Sequence, residues 1–291
     1  MTEAGPTMYV NGRFAPEDEA GLSPLDRGFT LADGLFETMV ALDDKVFRIG
    51  GHLARMQRGA EALRIPLPSV GELTGIILES LRRNGHTLSV ARLTVSRGVD
   101  RGRGLDAPRD IEPTVVARVA PWQGPPDSMP PGRRLALSTI PRNDRSPLSR
   151  IKSLSYVEGV TARLEAQSEG ADDALLCNTR GLVACGTSNN VFVVRDGALL
   201  TPPEEDGALA GIARLTALEE ADRLGIPAEE RSIEHRHVSG ADEVFLTNVV
   251  QGPVPVISLD GGPIGAGSPG PITQMLFDAY WARVRRELLP A

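Results

Sequence analysis

Lys152 has the widest chemical reach of any residue in this sequence. It stands in Arg150-Ile151-Lys152-Ser153-Leu154-Ser155-Tyr156-Val157-Glu158, after the polar, turn-forming run Arg142-Asn143-Asp144-Arg145-Ser146-Pro147. Leu154, Val157, Val160 and Leu164 follow at helical spacing. The lysine is therefore expected where an irregular segment becomes a helix, with its side chain aimed off the helix start. An amine attacks a carbonyl only when uncharged, and burial or a cationic neighbour such as Arg145 or Arg150 supplies that form. Taken alone, the lysine reads as a solvated charge.

Three other groups could do chemistry. Gly211, in Leu209-Ala210-Gly211-Ile212-Ala213-Arg214, opens a helix, where backbone N–H groups and the helix dipole suit an anion. Arg55 lies one turn after His52 on an early helix and could fork onto a phosphate or carboxylate. In isolation these read as an ordinary helix-start glycine, a solvated arginine and a packing histidine. Cys185 ends a strand in Val183-Ala184-Cys185-Gly186-Thr187-Ser188, but Cys177 is its only thiol companion and no histidine pair stands near. That spacing argues against zinc, and no metal site is expected. A buried, inert thiol is the default.

The elements that must position these groups mix strands and helices, an α/β (α+β) pattern. Asn11-Gly12 turns a hairpin within 8–14, and Asp43-Asp44 separates two strands within 35–49. Residues 23–28 read as loop. Leu53, Met56, Ala60 and Leu63 mark an amphipathic helix, with Arg55, Arg58 and Arg64 on other faces. Ser69 and Glu72 form a capping box for a second helix, which Gly85 stops. Strands near 90–96 and 113–120 complete an N-terminal domain, 1–120. Residues 121–132 carry five prolines and two glycines in twelve positions and read as an interdomain linker. The second domain, 133–291, holds the lysine segment, hairpins at 173–184, 191–201 and 254–264, a strand at 241–246, and helices at 211–224 and 273–288.

Composition bounds the partners. The chain has 291 residues and a formal net charge of −7, which argues against a nucleic-acid binder. Arg101, Arg103 and Arg109 cluster, but acidic residues break the run. No apolar stretch approaches the roughly 20 residues that span a bilayer. The opening residues lack the features of a secretory signal, and two cysteines without one suggest reduced thiols in a cytoplasm.

Together the motifs resemble the class-IV aminotransferases, fold-type-IV enzymes that use pyridoxal 5′-phosphate. The resemblance rests on Leu25-Asp26-Arg27-Gly28-Phe29, Asp33-Gly34-Leu35-Phe36-Glu37-Thr38, His52-Leu53-Ala54-Arg55-Met56, Lys152-Ser153-Leu154-Ser155-Tyr156-Val157-Glu158 and Gly186-Thr187-Ser188-Asn189-Asn190-Val191-Phe192. Thr201-Pro202-Pro203, 209–214 and 241–248 continue it in order. It implies two α/β domains with the active site in the cleft between them, a homodimer, and a small amine or amino-acid substrate. Lys152 would be the Schiff-base lysine and proton carrier, and Arg55 would hold the cofactor phosphate. Gly211, Ile212 and Ala213 would complete the phosphate cup, with Leu209 against the pyridine ring. Thr247 and Asn248 would border the phosphate, and Tyr156 and Thr38 would line the substrate side.

Two departures from the family pattern stand out. Ala213 lacks the hydroxyl of the threonine often found there. Cys185 replaces the family's glutamate at the pyridine nitrogen, and a thiol is a poor substitute for a carboxylate that keeps this nitrogen protonated. That favours elimination over transamination. The stretch from Thr247 to Val256 also looks more like the lyase branch, so 4-amino-4-deoxychorismate lyase, which releases pyruvate and leaves 4-aminobenzoate, is the expected activity. A transaminase of branched-chain amino acids, D-amino acids or primary amines is the alternative. A non-catalytic dimeric binding relative is a third reading, opposed by the retention of Lys152 and Arg55.

Overall fold

The computed structural model describes residues 6–102, 104–107 and 110–289. Arg103 and Arg109 of the arginine cluster lie outside them. The chain forms two compact units. The first takes the chain as far as Gly124, then Ile151–Ser155 and the stretch from Glu287; the second takes Pro125–Arg150 and Tyr156–Arg286. Lys152 thus belongs with the first unit, whereas the sequence reading placed it with 133–291.

The first unit is built on β1 (Thr7–Val10), β2 (Arg13–Pro16), α1 (Arg27–Leu31), β3 (Gly34–Leu42), β4 (Lys45–Val46), α2 (Ile49–Leu63), α3 (Val70–Asn84), β5 (Leu88–Ser96) and β6 (Thr114–Pro121). Its six strands lie in the order β2-β1-β6-β5-β3-β4, every pair antiparallel. Asn11 and Gly12 both take positive φ, +43° and +84°, the backbone that a two-residue hairpin needs. Ser69 caps α3 by accepting the Glu72 N–H at 3.2 Å, and Gly85 closes it in the left-handed conformation. The apolar alternation of β3, β5 and β6 meets the inner faces of α2 and α3 in one core around Leu35, Met39, Leu53, Met56, Leu73, Ile77 and Leu93. Arg55 corrects the sequence reading here: it is buried beside Leu53 and Met56, not on an outer face.

The second unit contains β7 (Arg133–Leu137), α4 (Val157–Ser168), β8 (Asp173–Cys177), β9 (Val183–Gly186), β10 (Asn190–Arg195), β11 (Ala198–Thr201), α5 (Ile212–Arg223), β12 (Ala228–Glu230), α6 (His235–Ser239), β13 (Glu243–Asn248), β14 (Gly252–Leu259), β15 (Gly262–Pro263) and α7 (Pro271–Leu288). Its strands form a mixed sheet in the order β12-β11-β10-β13-β14-β7-β8-β9, with β15 on β14. One face of β10 and β13 stacks Phe192 on Phe245, centroids 4.8 Å apart, against Ala217 and Ala221 of α5. The other face builds a second apolar cluster from Val191, Val193, Val244 and Leu246.

The lysine segment overturns an expectation. α4 begins at Val157, so Lys152 precedes the helix by a stretch of extended chain. Val157, Val160 and Leu164 are 74%, 55% and 59% exposed, and the buried face of α4 is Ala162 and Ala166. Close packing explains the inversion. A Cβ on Gly159 would lie 2.7 Å from the Thr187 carbonyl oxygen, so α4 meets its neighbours through small residues and the larger apolar side chains point outward.

Ile151–Ser155 runs along the edge of β3, with an antiparallel bridge between Leu35 and Ser153. The Phe36 N–H donates to Lys152 O at 3.0 Å and the Leu154 N–H donates to Gly34 O at 2.9 Å. Gly34 is required there, since a Cβ would come within 2.7 Å of both Leu154 Cδ1 and the Val95 carbonyl oxygen. Gly34→Ala is expected to cost roughly 1–3 kcal/mol by overpacking. Denaturant unfolding measures that cost, and faster amide exchange at Leu154 reports loosening of the edge segment.

Candidate active site

The edge pairing decides where Lys152 points. With Leu35 opposite Ser153, Lys152 lies opposite Phe36, and cross-strand neighbours share a face. Accordingly Lys152 Nζ stands 4.4 Å from the centroid of the Phe36 ring. The Arg92 guanidinium, from β5, lies 3.8 Å from the same centroid. Two cations thus flank one aromatic ring, each drawn to its negative face. Thr38 lies two residues along β3 on that same face, directly opposite Arg92. Lys152, Thr38, Phe36 and Arg92 therefore share one surface. Ile151, one residue earlier, packs into the core.

Glu37 lies between Phe36 and Thr38 in sequence, so its side chain takes the opposite face of β3, toward α2. There it is fully buried and receives Arg55 through Nε at 2.8 Å and Nη2 at 2.6 Å. His52 Nδ1 meets its Oε2 at 2.7 Å. Burial pushes the Glu37 carboxyl up, but the hydrogen bonds and charges of Arg55 and His52 outweigh it and hold the group at about 2. Burial depresses His52 below its ordinary value, against the pull of Glu37, and the charges of Arg55 and Lys152 add to the depression. The Glu37 carboxylate can only accept, so neutral His52 donates a hydrogen bond to it from Nδ1–H. Its Nε2 is buried with no hydrogen-bond partner. Arg55 is thus an aligned, pre-paired guanidinium and not the loose surface arginine that its sequence position suggests.

In the second unit Arg142 organises another polar cluster. It donates to Glu158 at 2.6 Å and to Ser149 O at 3.1 Å, and its charge is felt at Cys185 and Tyr156. Cys185 pairs with Leu176 across β8 and β9 and packs against the alanine-rich cluster under α4. Burial pushes its thiol up to about 11, with Arg142 opposing and Glu158 reinforcing the shift. Cys185 is a neutral thiol. Arg145 and Arg150, the expected neighbours of the lysine, are exposed residues of the second unit.

The start of α5 has the features of an anion cup. Gly211 is its N-cap and supplies no side-chain cap, and the first turn carries no acidic residue. The N–H groups of Ile212 and Ala213, both buried, lack partners within the helix by the geometry of any helix start. Thr247 is 2% exposed, and its hydroxyl has no hydrogen-bond partner. Its cross-strand neighbour Asn190 reaches the loop before α5, donating to Leu209 O at 2.8 Å. An orphaned buried hydroxyl on β13 and a helix end with no side-chain cap fit a phosphate group. Asn248 differs. Its Oδ1 accepts the Val250 and Gln251 N–H groups, and its Nδ2 donates to Asn189 and Gln251. That side chain shapes the turn after β13, on the face opposite Thr247, so the expected pair is split.

Sequence reading missed Glu37, Arg92, Arg142, Glu158 and Asn190 as site residues. Strand alternation could have grouped Arg92 with Phe36 and Thr38 once the β3–β5 register was known. Nothing local marks Glu37 or Arg142, because their partners are distant in sequence. Among the described residues no group of three or more His, Cys, Asp or Glu is placed to hold a metal ion.

The Glu37 cluster makes stability acid-sensitive. His52 is depressed below its ordinary 6.5, and Glu37 falls from 4.5 to about 2, so the unfolded chain binds each proton more tightly. Their contributions are complete above pH 6.5. Stability should fall first as His52 of the unfolded state titrates, then again from pH 4.5 toward about 2. The Glu37 contribution is on the order of 3 kcal/mol. Urea unfolding across pH tests this, and His52→Gln is expected to flatten the upper part of the fall.

The family model for amino-transferase class IV matches residues 34–259. A putative branched-chain-amino-acid aminotransferase of Methanocaldococcus jannaschii is 34% identical over 275 residues, 94% of each chain. The D-alanine aminotransferase of Bacillus licheniformis is 32% identical, over 92% of this chain and 93% of its own. The crystal structure of the Escherichia coli branched-chain amino acid aminotransferase superposes with a TM-score of 0.90 at 26% identity, covering 96% of this chain and 94% of that one. Sequence and fold agree along nearly the whole length, and the chain belongs to the class-IV aminotransferases, fold-type-IV enzymes whose cofactor is pyridoxal 5′-phosphate.

Proposed function

We propose that this enzyme is a transaminase, moving the amino group of an aliphatic α-amino acid to a 2-oxo acid. The observation that carries the reading is Lys152 held on the Phe36 ring with Arg92 on the same ring. An amine that forms imines and an exposed guanidinium on the same Phe36 ring suit the two ends of an amino acid, whose carboxylate Arg92 would pair. The names of the relatives, branched-chain and D-alanine aminotransferases, support the same class. The bound cofactor supplies the aldehyde that captures amines and a ring that withdraws electrons from the substrate carbon.

The remaining roles are those the family pattern implies. Lys152 would hold the cofactor aldehyde and move the substrate proton. Arg55, aligned by Glu37, would serve the cofactor phosphate, as would Gly211, Ile212, Ala213 and Thr247. Leu209 would pack on the cofactor, Thr38 and Tyr156 would face the substrate, and Asn248 would act by shaping its turn. Cys185 would be the neutral partner of the ring nitrogen. That neutrality, with the Thr247–Val256 stretch, favours the lyase reading, 4-amino-4-deoxychorismate cleavage, which takes second place because the relatives named above are aminotransferases. A homodimer would cover exposed apolar side chains such as Phe29 and Leu105, 77% and 81% exposed, and the outer face of α4. Two free thiols suit a cytoplasmic location. Among the described residues no helix is long and apolar enough to cross a membrane.

The test is amino transfer from L-leucine, L-isoleucine, L-valine and D-alanine to 2-oxoglutarate, read as glutamate formed. Activity with at least one donor is expected. Lys152→Ala should lower it by roughly 10³-fold or more. Arg92→Leu should raise KM for the amino acid by about tenfold, the worth of one charged hydrogen bond. Formation of 4-aminobenzoate without any amino transfer would reverse the order of the two readings.

A further inference from the structure

Asn190 has no part in the assignments above, yet it touches the loop before α5 at both ends. It opens β10 directly opposite Thr247 on β13. By strand alternation both side chains share the face of Phe192 and Phe245, the face that α5 covers. Asn190 is 6% exposed. Its Nδ2 donates to Leu209 O at 2.8 Å, and its Oδ1 occupies the space that a Cβ on Gly211 would need. One buried amide, rooted in a central strand, therefore meets the loop at Leu209 and at Gly211, where α5 begins.

Consider what such a grip does for a helix end. The first N–H groups of α5 are neutral donors, and their attraction for an anion depends on direction and on the absence of a competing cap. Gly211 supplies no cap, and the residue types at the helix start offer no carboxylate to compete. The loop carries no regular secondary structure of its own from Gly207 to Gly211. Its order must come from outside, and Asn190 supplies a side-chain anchor. The same contact accounts for Gly211, since any side chain there would collide with the Asn190 amide.

We infer that Asn190 is the positioning residue of the cofactor-phosphate cup, holding 209–211 so that the first N–H groups of α5 and the Thr247 hydroxyl stand ready side by side. The inference rests on the proposed assignment of that helix end to the phosphate. Asn190 itself acts through the loop and through Gly211.

The test separates the phosphate from the rest of the cofactor. Apoenzyme is titrated with pyridoxal 5′-phosphate and, separately, with pyridoxal, which lacks the phosphate, and imine formation is followed by absorbance. Asn190→Ala and the neutral, similarly sized Asn190→Leu are each expected to weaken pyridoxal 5′-phosphate by about tenfold or more while pyridoxal stays within about twofold. The leucine keeps the volume and adds no charge but cannot donate to Leu209 O, so it decides the matter if the alanine variant does not fold. Equal weakening of both ligands, or of neither, overturns the role of Asn190. If wild-type protein binds the two ligands equally well, the phosphate assignment of the α5 end itself fails. If wild type discriminates and the Asn190 variants discriminate as strongly, only the inference fails.

Discussion

The pairing of Ile151–Ser155 with the edge of β3 is the contact that decides where Lys152 points. Two backbone hydrogen bonds and one bridge set a register in which Lys152 shares a face with Phe36 and Ile151 enters the core. A slip of one residue would exchange those directions, because side chains alternate along extended chain. Gly34 and Gly28 protect the register from both sides, each leaving room for Leu154 where a Cβ would intrude. The lysine's reach is thus a property of a strand edge, and the helix that follows has no hold on it.

A second constraint lies on the other face of β3. Glu37, His52 and Arg55 form a buried charged cluster of a kind that destabilises a protein when one partner is lost. A guanidinium held by two hydrogen bonds cannot sample other rotamers, so it is aligned before any ligand arrives, and alignment in advance is what makes binding specific. The cost is acid sensitivity, since both His52 and Glu37 give up proton affinity on folding.

In the second unit the polar groups work mostly without net charge. The α5 end offers backbone donors, Thr247 a hydroxyl and Asn190 an amide. Cys185 is a neutral thiol where the family pattern has a carboxylate, and the nearby ion pair is Arg142 with Glu158. In the proposed reading, a neutral partner at the ring nitrogen would weaken the electron sink and place more of the demand on Lys152 and on substrate positioning.

Much of this was legible in the residues themselves. The hairpin at Asn11-Gly12, the Ser69 cap, the Gly85 stop and the glycine entrance to α5 are local events, governed by φ and by unpaired backbone groups within a few residues. Spaced motifs carried the family because their order survives without knowledge of contacts. What the sequence could not decide was direction. The spacing of Val157, Val160 and Leu164 promised an inward face, yet close approach at Gly159 turned it outward. Arg55 looked solvated until Glu37, eighteen residues away, buried it. Asn248 looked like a companion of Thr247 until strand alternation and its own turn separated them. Periodicity determines which residues share a face; which face is inside, and who meets whom across it, is determined by distant backbone, and only the packed structure brings that backbone into place.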